Sequence, residues 1–138
     1  MARKKQRLQV EQEYDFSLIG IFSPISDYRL SWCLNQSLGF KLRRSDDILH
    51  FNEVSLIKVP YAVFDFFYPE WDRHFFLIPN RKAGNIILRS PRNLDYMLVT
   101  HPACDSDTLS GLINKIRNIE LIHASYHLDT SKIKNIDV

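Results

Sequence analysis

The chain has 138 residues, 45% of them hydrophobic and 25% charged, with a formal net charge of +2. That is the make-up of one soluble globular domain able to bury its own core, and no apolar run approaches the ~20 residues that a membrane-spanning helix needs. Two cysteines, Cys33 and Cys104, make no disulfide framework, and LIGIF from Leu18 to Phe22 is too short for a secretory signal, so the expected compartment is the reducing cytoplasm.

The charge is unevenly spread. The first seven residues carry Arg3, Lys4, Lys5 and Arg7 and no acid, while the rest holds 14 basic and 16 acidic side chains and sums to −2. A body that close to neutral does not advertise a nucleic-acid surface, and no DNA binding is expected. Residues 1–13 read as a basic, polar tail and residues 14–138 as a single domain.

Phe16 to Phe22 is nearly unbroken apolar sequence, the pattern of a strand buried on both faces, with Gly20 leaving room for another backbone or a large ring. Ser23-Pro24 breaks it. Ser26 or Asp27 can cap a helix carrying Leu30, Leu34 and Leu38 on one stripe with Cys33 alongside, and Tyr28 and Trp32 on a second. Gly39 suits a left-handed helix end. Phe40 to Arg44 alternates, with Phe40 and Leu42 inward and Lys41 and Arg43 outward. Ile48–Phe51 and Val54–Val59 predict two short strands around a turn at Asn52-Glu53, with Asp46-Asp47 as an earlier turn and Pro60 as a break.

Tyr61–Tyr68 and Arg73–Ile78 predict an antiparallel hairpin, and Ile86–Leu88 and Leu94–Thr100 two further strands. Leu109, Leu112, Ile113 and Ile116 mark an amphipathic helix, capped by Ser106 or Asp107 and ending near Lys115 and Arg117. Finally Ile122, Ala124, Tyr126 and Leu128 alternate with a wet face of His123, Ser125 and His127. The predicted class is α+β: an antiparallel sheet of about six or seven strands with two helices on one face, in the order β-α-β-β-β-β-β-α-β.

Three blocks resemble the bacterial IPExxxVDY family over most of the chain. They are LIGI at Leu18–Ile21 with DYRL at Asp27–Leu30 and the helical Leu34-Asn35; FLIPNR at Phe76–Arg81; and LRSPRNLDY at Leu88–Tyr96. In the last block Leu88, Arg89 and Ser90 stand where the family has Ile, Pro and Glu, Leu94 replaces Val, and Asp95 and Tyr96 match. The resemblance implies a bacterial cytoplasmic protein and assigns it no reaction. A catalytic role for the family's glutamate would be missing here.

Few side chains point to chemistry. His123 and His127 on a strand stand about 13 Å apart, too far to share a metal. His101 and Cys104 share a loop but lack the paired, tightly spaced ligands of a zinc site, and nothing in sequence supplies Cys104 with a base and an oxyanion hole. Cys33 reads as core filling. Asp105 and Asp107 read as helix-capping residues, and no glycine-rich phosphate loop exists. Arg29 is placed to pair with Asp95 if the strand carrying Asp95 ends near the helix start. No metal, no cofactor and no catalysis are expected.

The aromatic density from Tyr61 to Phe76 is the remaining signal. On one strand Phe64, Phe66 and Tyr68 share a face, and Tyr61, Val63, Asp65 and Phe67 share the other. One face must meet the helices. The other is closed by the chain's own loops or waits for a partner. The expected function is therefore a non-catalytic protein-interaction or adaptor module, working on an unidentified protein or by self-association, with Tyr61, Phe67, Trp71 and Phe75 as its surface. The alternative is RNA binding through Arg3, Lys4, Lys5, Arg7, Lys41 and Arg43, helped by Arg81, Lys82, Arg89 and Arg92.

Overall fold

The computed structural model describes residues 15–130. The expected tail at 1–13, with Arg3, Lys4, Lys5 and Arg7, lies outside the described residues. Strand β1 (Ser17–Phe22) is followed by helix α1 (Asp27–Leu38), β2 (Arg43–Asn52), β3 (Ile57–Tyr68), β4 (Arg73–Pro79), β5 (Arg81–Lys82), β6 (Asn85–Ile86), β7 (Tyr96–His101), α2 (Ser106–Arg117) and β8 (Ala124–Leu128). The predicted α+β class and element order hold. Among the described residues, six strands form one antiparallel sheet in the order β2-β3-β4-β7-β1-β8, and β5 and β6 form a separate ribbon.

Local chemistry explains the helices. The Ser26 side chain accepts the Arg29 N–H at 3.2 Å, and Gly39 closes α1 at φ 73°, a conformation that costs a residue with a Cβ. At α2, rather than Ser106 or Asp107, the cap is Asp105, one of the two aspartates read as capping residues. Its carboxylate accepts both the N–H and the hydroxyl of Thr108.

The sheet is apolar on both faces. On one, Ile19, Ile21, Phe64, Phe75, Leu77 and Leu98 meet Leu30 and Leu34 of α1 and Leu109, Leu112, Ile113 and Ile116 of α2. On the other, Leu18, Val59, Tyr61, Val63, Ile78, Met97 and Val99 pack with Leu88 and Leu94 from the connection between β4 and β7. The chain's own loop therefore closes most of the second face.

Several local expectations are corrected. Arg43–Asn52 is one strand, with Asp46 and Asp47 inside it. They form a bulge, because Ser45 lies opposite Val63 and Ile48 opposite Tyr61. Pro60 does not interrupt β3. It lies where β3 extends beyond its pairing with β4, so this half of the strand tolerates a residue without an N–H. The hairpin turn spans 53–56, with the Asn52 carboxamide oxygen accepting the Val54 and Ser55 N–H groups. Gly20 admits leucines rather than a ring, since a Cβ there would come within 2.8 Å of Leu128. In β8 the polar residue Ser125 is buried and donates to the Gly20 carbonyl, while Tyr126 is half exposed.

Candidate interaction surface

The rings expected to form one surface divide between the two faces. Phe66 pairs opposite Phe75, so Phe75 faces the helices, and it is 0% exposed between Phe40 and Phe66. Tyr61 faces the other way and is also 0% exposed. Both are therefore removed from the expected docking surface: the strand is apolar on each side because each side meets a core. Trp71 is partly buried against Tyr68 and Phe75. Phe67 alone of the four stands well out, at 50% exposure, beside the His74 ring. His74 is held by Asp65 at 2.6 Å and stacks on Phe76.

A different apolar surface is uncovered. Leu49 pairs opposite Pro60, which lies on the same face of β3 as Phe64 and Phe66, so Leu49 and Phe51 point to the helix side of the sheet. The helices do not reach them. Both are exposed, as are Val54, Leu56 and Ile57 around the hairpin tip. The second stripe of α1 lies nearby. The Tyr28 ring is 5.9 Å from Phe64, two alternations along β3 from Pro60. Tyr28 is 71% exposed and Trp32, one turn on, 60%. The two stripes on α1 were the available signal, since a short helix lying on a sheet buries only one.

Asn80, Arg81, Asp95 and Tyr96 converge at a joint. The Asn80 carboxamide donates to the carbonyls of Leu88 and Leu94 and accepts the Leu88 N–H. Asp95 accepts the Ser23 N–H and binds Arg81, and Tyr96 donates its hydroxyl to the Ile25 carbonyl. Asp95 thus pairs with Arg81 and not with the exposed Arg29. Burial, followed by the nearby Asp27 and Asp95 carboxylates, pushes the Tyr96 phenol up to about 12, against a smaller opposing effect of Arg81.

Cys104 lies in an open groove of about 460 Å³ with Phe40, Tyr68, Trp71, Arg73 and Lys115 in its wall and no histidine in its lining. Burial pushes the thiol up, and the adjacent Arg73 offsets this only in part. A thiol pushed up by burial ionises less readily than a free one, the opposite of the shift that activates a nucleophile. His123, just before β8, and His127 within it are exposed, and among the described residues no group of three His, Cys, Asp or Glu side chains could hold a metal ion. No described helix is long and apolar enough to cross a membrane. Lys41 and Arg43 are exposed as expected, but Arg43 lies opposite Asp65, and Arg44 pairs with Asp47 at 2.6 Å. No protein-family model, no curated protein and no solved structure matches this chain.

Proposed function

We propose that this chain is a bacterial, cytoplasmic, non-catalytic protein-interaction module of the IPExxxVDY family, and that it docks through the helix-side surface of the β2–β3 hairpin. The observation that carries this reading is that Tyr28 and Trp32 on α1, and Leu49 and Phe51 on the helix side of the β2–β3 hairpin, all stand uncovered. Large rings and aliphatic groups left in water at one place are what a partner buries, and such anchors contribute most of an interface's energy. The family assignment rests on the three matching blocks, whose polar residues Asn80, Arg81, Asp95 and Tyr96 fold into one joint. RNA binding has weaker support, because Arg43, Arg44 and Arg81 each have an acidic neighbour.

The test compares wild type with Trp32→Glu and Leu49→Glu/Phe51→Glu. These sites are exposed, so the variants should keep wild-type circular dichroism and lie within about 1 kcal/mol of its stability. Proteins copurified from the native cell with wild type should be lost with both variants. Copurification unchanged by both would sink the reading.

A further inference from the structure

We infer that the partner of this surface is a second copy of the same chain, joined antiparallel along the β2 edge about a two-fold axis at Ser45. The inference rests on the proposed docking role and names its occupant. Among the described residues β2 has no strand on its outer side, and the Arg44 guanidinium, which donates to the Ser45 carbonyl, has to release it where a further strand pairs there. The segment Arg43-Arg44-Ser45-Asp46-Asp47 on that edge reads plus, plus, neutral, minus, minus. All four charged residues are exposed.

Such a sequence is complementary to its own reverse. Antiparallel pairing centred on Ser45 sets Arg43 against Asp47 of the second copy and Arg44 against its Asp46. The symmetry repeats both contacts, giving four ion pairs across the join. Asp47 exchanges its own chain's Arg44 for Arg43 of the other. A parallel arrangement or a shift by two residues sets like charges face to face. Charge therefore fixes both direction and register.

The same geometry accounts for the uncovered apolar groups. A two-fold axis perpendicular to the sheet keeps both helix layers on one side. Each hairpin then runs past the α1 of the other copy, carrying Leu49 and Phe51 toward its Trp32. The bulge at Asp46-Asp47 ends the regular backbone ladder near Ser45, so the two aspartates meet Arg44 and Arg43 of the other copy through their side chains. The pairing is thus short and leans on charge, and added salt weakens it.

Sedimentation equilibrium on four samples tests this. Wild type should dimerise in a concentration-dependent way, more weakly at high salt. Arg43→Asp/Arg44→Asp and Asp46→Arg/Asp47→Arg should each weaken dimerisation by about tenfold or more, because each sets like charges across the axis. Mixed in equal amounts, the two variants should form a heterodimer, which also shows that both are folded. A Ser45→Cys variant should cross-link to its own copy under mild oxidation, and wild type, with Cys33 and Cys104 intact, should not.

A wild type that stays monomeric to sub-millimolar concentration, or a dimer indifferent to both charge reversals, overturns the inference. Failure of the mixed variants to pair, with both folded alone, overturns the register. A monomeric wild type whose copurifying proteins still depend on Trp32, Leu49 and Phe51 leaves the docking role standing with another partner. A monomer without that dependence removes both.

Discussion

The carboxylate of Asp95 accepts the backbone N–H of Ser23 at 2.8 Å, joining the start of β7 to the turn between β1 and α1 across 72 residues of chain. The second oxygen of Asp95 holds Arg81, and the next residue, Tyr96, donates its hydroxyl to the Ile25 carbonyl at 2.6 Å. Through these bonds Arg81, Asp95 and Tyr96 lock the start of α1 onto the sheet. Their side chains are occupied with one another, which gives them a structural duty independent of any reaction.

Asp95→Ala should therefore destabilise the fold by about 1–2 kcal/mol, since it frees a backbone donor and a guanidinium at a partly solvated site. Arg81→Ala should cost less than about 1 kcal/mol, because the Arg81 side chain is nearly half exposed. Urea unfolding of both variants checks the order. An Arg81→Ala loss as large as that of Asp95→Ala would contradict it.

Asn80 should be the least replaceable polar residue. It is 1% exposed, and its side chain satisfies two carbonyls and one N–H in the β4–β7 connection. Alanine leaves those three groups unpaired and should cost about 3 kcal/mol or more. The same variant should raise amide exchange at Leu88, whose N–H is bonded to the Asn80 side chain.

Two buried tyrosines should respond in opposite ways to losing the hydroxyl. The Tyr61 hydroxyl has no hydrogen-bond partner among the described residues, so Tyr61→Phe should be neutral or stabilising. Tyr96→Phe orphans the Ile25 carbonyl and should cost about 1–1.5 kcal/mol. The Tyr96 phenol is raised from 10.0 to about 12 in the fold. As pH climbs from 10.0 toward about 12, the unfolded chain gives up this proton and the folded one keeps it, so stability falls. Tyr96→Phe should flatten that alkaline limb.

Acid should destabilise through His50. Burial lowers its ionisation below the ordinary 6.5, with Glu53 opposing the shift, and the Tyr61 ring lies edge-to-face with it at 6.2 Å between centroids. As pH drops below 6.5 the unfolded chain takes up a proton that the folded imidazole refuses, so stability is lost down to the folded-state value and then levels. His50→Gln should remove this part of the pH profile. An unchanged slope would show that other groups cause it.

The aromatic correction predicts a sharp contrast. Phe75→Ala should cost about 3–5 kcal/mol, because the ring is fully enclosed by Phe40, Phe66 and Trp71. Phe67→Ala, on the solvent-facing end of β3, should stay within about 1 kcal/mol. Thermal unfolding of the pair separates a core ring from a surface ring.

Sequence by itself determined the helices, their caps to within a residue, the β3–β4 hairpin and the face on which each β3 residue falls. These follow from short-range rules: a period near 3.6 or 2, a serine before a helix, a glycine after one. It also held the charge order at Arg43–Asp47, although local pattern there predicts only the end of one strand and a turn. What sequence could not decide was which apolar side chain ends up covered. Tyr61, Phe75, Leu49 and Phe51 carry similar local signals, yet the first two are enclosed and the last two are not. Their fates depend on where α1, α2 and the β4–β7 connection come to rest on the sheet. Burial is a property of long-range packing, and alternation along a strand names the face without saying what lies over it.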